Sequence, residues 1–150
     1  DRVSGYGSVK NAADKSTSYG IGQPATANDV TMTLVSVKES KGSEYNKPAD
    51  GKVFLLCEFN IDNKSTKDLA ISSMASFEAY VDGYSTTQSI TGLLEKGSKN
   101  QLDGNIAAGK KMNGIIAYEV PKDWKEIEIQ LNPDVFSFFS GKTIFKATKK

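Results

Sequence analysis

Between the turn pair Asp50-Gly51 and the turn residues Asn63-Lys64-Ser65 the chain reads Lys52-Val53-Phe54-Leu55-Leu56-Cys57-Glu58-Phe59-Asn60-Ile61-Asp62. Val53, Leu55, Cys57, Phe59 and Ile61 fall at every second position, the period of an extended strand with one face turned to a core. The positions between them become polar at Glu58, Asn60 and Asp62, as happens where a strand leaves the middle of a sandwich for solvent. The stretch points to an all-β fold and names no chemistry.

Other segments repeat the pattern. Val30, Met32 and Leu34 share one face of a strand while Val35 and Val37 lie on the other, a slip of phase that predicts a β-bulge near Leu34. Lys38 to Asp50 reads as a polar loop through Gly42 and Pro48. Phe77, Ala79 and Val81 alternate into Asp82-Gly83, the signature of a type I′ hairpin, with Tyr84 beyond it. Residues 85–105 show no sustained period and are interrupted by Gly92, Gly97 and Gly104, which predicts a long connection with one short helical turn around Gly92 to Lys96. Met112, Gly114, Ile116, Tyr118 and Val120 form a strand stopped by Pro121, and Ile127, Ile129 and Leu131 form another stopped by Pro133. With Thr143 to Thr148 closing the chain, this set of short strands predicts a two-sheet antiparallel β-sandwich.

Residues 1–20 are rich in Ser, Gly, Ala and charge and show no period. They read as a flexible tether with an end-to-end distance of roughly 25 Å, an ordered edge strand being the alternative. Residues 21–150 are then the sandwich domain. The chain opens at Asp1 without a Met, so its native N-terminus is expected to lie elsewhere, and no stretch has the 18 consecutive apolar residues of a membrane-spanning helix.

Composition narrows the chemistry. Histidine is absent, which removes the usual general base, zinc ligand and physiological-pH switch together. The single cysteine, Cys57, lies on the apolar face of the best strand and reads as a buried, inert thiol. Net charge is +1, and outside residues 1–20 acidic and basic residues balance, so no bulk footprint for nucleic acid or anionic lipid is present. With 38% hydrophobic residues the core needs no cofactor, metal or disulfide to form.

Three blocks together resemble a known family: Gly20-Ile21-Gly22, Ala49-Asp50-Gly51-Lys52-Val53-Phe54 through Asn63-Lys64-Ser65, and Ala108-Gly109-Lys110-Lys111-Met112-Asn113-Gly114 through Val120-Pro121. Their order and spacing over about residues 20–147 are similar to the immunoglobulin-like domain of unknown function found in Gram-positive surface lipoproteins. The resemblance implies an immunoglobulin-like sandwich on a flexible tether, exported and attached to the membrane only through a lipid anchor on an N-terminal cysteine that this chain does not include. It carries over no catalytic residue.

Four constellations offer themselves as sites. Trp124 with Phe136, Phe138 and Phe139 around Pro133 forms an aromatic cluster that is either the closed end of the sandwich or an exposed patch for a protein or glycan partner. Glu126 and Glu128 share one strand face about 7 Å apart, the spacing of paired carboxylates in glycosidases, with a solvated face as the plain reading. Ser65/Lys67 and Ser98/Lys99 read as loop polar groups before they read as nucleophile pairs. Asp62/Asn63, Asp82/Gly83 and Asp103/Gly104/Asn105 are explained by turn chemistry before calcium. The expectation is a non-enzymatic binding or accessory module of the cell surface, monomeric or weakly dimeric, without nucleic acid, metal or cofactor. The rival is an envelope enzyme or glycan-binding protein using those carboxylates or aromatics.

Overall fold

A computed structural model describes residues 16–132 and 142–149. The strands are β1 (Ser16–Tyr19), β2 (Pro24–Ala27), β3 (Val30–Ser40), β4 (Lys52–Asn63), β5 (Leu69–Ile71), β6 (Phe77–Val81), β7 (Tyr84–Thr86), β8 (Gly104–Ile106), β9 (Lys111–Pro121), β10 (Glu126–Leu131) and β11 (Lys142–Thr148). They form a five-stranded sheet β1-β11-β10-β6-β7, a four-stranded sheet β2-β3-β4-β9 and a small β5-β8 ladder. The two large sheets enclose one core, an immunoglobulin-like sandwich.

The alternating positions of β4 are the centre of that core: Leu55, Cys57 and Phe59 are fully buried. Phe59 stacks on Phe77 of β6 at 5.7 Å and meets Phe145 of β11 edge-on at 5.3 Å, so one ring from the four-stranded sheet is clasped by two from the other. Each such pair contributes about 0.5–1.5 kcal/mol beyond the apolar area it buries. The β3–β4 register shifts between Leu34 and Ser36, placing the bulge at Val35 as the phase slip requires. Asp82 and Gly83 both have positive φ, 52° and 86°, the conformation a type I′ hairpin demands.

On the outer face of β4, Phe54 is fully buried under a helical turn, α1 (Ile90–Leu93), followed by a 3₁₀ turn, Leu94–Lys96. Gly92 permits the approach, since a Cβ there would stand 2.9 Å from Phe54 Cδ1. The same connection covers the free edge of β9. Ser89 N–H donates to Ala117 O, Ile115 N–H to Asn100 O and Leu102 N–H to Ile115 O. An edge so paired offers no template to another strand.

Three expectations need correction. The stretch expected as tether up to residue 20 contains an ordered strand, because Ser16–Tyr19 pairs with β11 and Tyr19 packs on Phe145 at 5.8 Å. That pairing is parallel, so the five-stranded sheet is not wholly antiparallel. The polar loop begins after Ser40 instead of at Lys38, because Glu39 and Ser40 still pair with Leu55 and Phe54.

The strand directions give the sandwich two poles. Parallel pairing sets Ser16 beside Lys142, so the chain enters the sheet at the pole where β11 begins and β10 ends. Trp124, Glu126 and Thr148 lie at the other pole.

Candidate functional site

The second pole carries an open hollow of about 500 Å³ between the end of β3, the loop after it, the start of β4, the turn after β9 and Lys149. One of its lining residues, Glu39, is held from the core side by Trp124. After Pro121 the chain turns, with Trp124 N–H donating to Pro121 O at 3.0 Å, and the indole enters the core at 4% exposure. A buried indole needs an acceptor for its N–H, and Glu39 Oε2 supplies one at 2.6 Å. Lys149 Nζ pairs with the same oxygen at 3.0 Å, donates also to Lys122 O and lies 6.0 Å from the indole centroid. The Lys149 ammonium first, and the indole N–H second, hold the Glu39 carboxyl below its usual value.

The rim is fixed by backbone contacts. Lys52 N–H donates to Ala49 O, Lys122 N–H to Gly51 O and Ala49 N–H to Glu119 Oε2. Lys41, Lys47, Lys52 and Lys122 line it together with Lys149, against the carboxylates of Glu39 and Asp50. Glu39 is already engaged by Lys149, and among the described residues Lys47, Lys52 and Lys122 form no ion pair. A neutral domain thus concentrates positive charge at one end. Ammonium groups act as compact, hydrated point charges, and their chemistry here is attraction of phosphate or carboxylate anions.

Trp124 does not belong to an exposed patch: it is buried beneath the hollow. Phe136, Phe138 and Phe139 lie outside the described residues. Their flanking residues, Asn132 and Lys142, are at the opposite pole, separated from Trp124 by the length of β10, about 17 Å.

The other constellations are structural. Glu128 accepts from Gln130 Nε2 at 2.7 Å and faces Lys146 Nζ at 3.9 Å across the ladder, and with Glu126 it lies on the outward face of the five-stranded sheet. Asp82 accepts the backbone N–H of Lys125 and Glu126, closing the hairpin against β10. Asp103 accepts Ser73 N–H and Ser73 Oγ–H, tying the chain after Ile71 to the segment beside β9. Lys99 pairs with Glu58 at 3.0 Å, and Ser65 Oγ donates to Asn63 Oδ1 and to Lys67 O. Among the described residues no three His, Cys, Asp or Glu side chains converge as metal ligands. Burial pushes the Cys57 thiol up to about 12, and burial likewise raises Tyr118.

The hollow itself was not legible in the sequence. Its lysines are scattered over three regions of the chain, and only the β4–β9 pairing, Lys52 opposite Pro121, brings the loop before β4 to the turn after β9.

Fold and site together define an immunoglobulin-like β-sandwich with an open, charged pole. The chain belongs to the family described as "Domain of unknown function (DUF4352)", which matches residues 19–142. It is similar in structure to a candidate lipoprotein (ycdA) from Bacillus subtilis subsp. subtilis str. 168, with a TM-score of 0.66 and 19% identity over 83% of this chain. The chain spans only 38% of that relative's length. The yjhA protein from Bacillus subtilis matches with a TM-score of 0.61 and 17% identity, covering 85% of this chain and 98% of its own. An uncharacterized β-sandwich protein from Clostridium difficile 630 matches at 0.58 and 17%, covering 93% and 99%. At these identities the likeness concerns the fold. No curated protein is significantly similar in sequence. Among the described residues no helix is long and apolar enough to cross a membrane.

Proposed function

We propose that the domain is a non-enzymatic binding or accessory module on the outer surface of a Gram-positive cell, held to the membrane by a lipid-anchored tether upstream of Ser16. It engages a protein or glycan of the envelope, works as a monomer or weak homodimer, and uses neither nucleic acid nor a cofactor. The lysine-lined hollow carries this reading: with Glu39 engaged by Trp124 and Lys149, its other lysines present charge on a wide, open surface, which suits contact with a large partner. The candidate lipoprotein among its structural relatives supports the location.

The test is in-cell crosslinking from a photoreactive residue at position 47 of the surface-displayed protein, read by mass spectrometry. Recurrent capture of one envelope component supports the module. Equal, background-level capture from position 47 and from position 142 at the other pole would remove the hollow as the binding surface.

A further inference from the structure

We infer that the hollow takes an extended polyanion, a linear polymer bearing repeated phosphate or carboxylate groups. The inference rests on the surface-module reading above and specifies its ligand. Three observations carry it.

The first is the placement of charge. The lysines stand on the loop after β3, at the start of β4, in the turn after β9 and beside β11, around an opening of about 500 Å³. A compact anion drawn to Glu39 would meet its carboxylate, whereas a chain lying across the opening can meet several of Lys41, Lys47, Lys52 and Lys122 together. The second is the residue type. Arg2 is the one arginine of the chain, so every cation of the hollow is Lys, whose point charge follows a flexible, repeating anion without the fixed bidentate geometry of an Arg site.

The third is polarity. The chain enters β1 at Ser16, beside Lys142, while Thr148 and Lys149 end β11 at the hollow. Strand β11 puts about 20 Å between the two. A tether leading to Ser16 therefore joins the domain at the pole remote from the hollow and leaves the hollow open to an extended polymer.

The test uses the 150-residue chain with long-chain polyphosphate as the probe, against orthophosphate, phosphatidylglycerol vesicles and single-stranded DNA at equal phosphorus concentration. With four rim lysines releasing counterions, affinity for polyphosphate should fall about 50-fold between 50 and 200 mM salt, the slope for a flexible polyanion being about −0.7 per contact. The double variant Lys47→Gln/Lys122→Gln should lose at least about tenfold in affinity and about half of the salt slope. Both side chains are exposed, so the fold is expected to stand, and Lys142→Gln at the far pole should bind as the unaltered protein does.

Binding of orthophosphate as tight as polyphosphate would overturn the inference, as would a tenfold preference for vesicles or for DNA, or a double variant that binds unchanged. No binding to polyphosphate also overturns it. Capture of one envelope component from position 47 would in that case leave the surface module standing without its polyanion, and background-level capture would end both.

Discussion

Asn63 closes β4 and is fully buried, yet it carries an amide, so its hydrogen bonds decide what it contributes. Its Nδ2 donates to Lys67 O at 2.8 Å and to Ile106 O at 2.9 Å, while Oδ1 accepts Ser65 Oγ–H at 2.6 Å. One side chain therefore ties the end of β4 to the following turn and to β8. Asn63→Ala strands the buried Ile106 carbonyl at a cost of about 1–3 kcal/mol and removes the half-buried bonds to Lys67 and Ser65 at about 0.5–1.5 kcal/mol each, for a total of about 4 kcal/mol. The urea midpoint should drop with an unchanged m-value, and Tm should fall by about 10 °C. Asn63→Asp keeps the acceptor for Ser65 but turns a carboxylate onto two carbonyl oxygens. It should destabilise more than Ala at pH 7 and recover part of the difference on acidification, because the protonated form is the one such a site favours. A loss under about 1 kcal/mol for Ala, or equal losses for the two variants at all pH values, would show that the knot is not what holds this corner.

Gly92→Ala should cost about 1–3 kcal/mol in urea denaturation, since its Cβ would stand 2.9 Å from the buried Phe54 ring. Gly114→Ala should cost more, because the contact there is the Leu102 backbone at 2.7 Å, and a neutral result at Gly114 would refute the covered β9 edge. Cys57, with its thiol raised to about 12, should react with a thiol reagent at pH 8 only at the rate of unfolding; labelling of the folded protein within the mixing time would contradict its burial. Glu58 is lowered from 4.5 chiefly by the Asn113 amide, with Lys99 adding to it, and Glu39 is lowered by Lys149 and the Trp124 indole. Folded-state values below the unfolded ones mean that these groups stabilise fully above about pH 4.5, and that the contribution is lost as pH falls through the lowered values. Glu58→Gln should therefore flatten the decline in Tm below that pH, and an unchanged acid profile would count against the Asn113 and Lys99 contacts.

What the sequence reveals here is whatever depends on local alternation. Val53 to Ile61 disclose a core strand because each residue's side of the pleat is set by its neighbours, and Asp82-Gly83 disclose a hairpin because only such residues adopt positive φ readily. Ser16–Tyr19 has no such pattern, and its strand exists only because β11 is there to pair with it. Phe54 and Leu56 break the alternation of β4, and their reason lies in α1, which packs over them from a segment without a period. Trp124 looks like a neighbour of Asn132 in sequence, but β10 carries the chain to the other pole between them. The lysine hollow was hidden for the same reason: Lys47 and Lys122 meet through strand pairing, and no local pattern records that.

Amide-resolved NMR of the isotope-labelled chain titrated with long-chain polyphosphate reads directly whether the lysine-lined pole is the binding surface. Binding there gives salt-sensitive shifts confined to the loop before Val53, the turn at Lys122 and Trp124, and Lys149. Shifts centred on Ser16–Tyr19 and Lys142, or none at 50 mM salt, where screening reaches only about 14 Å, would contradict it.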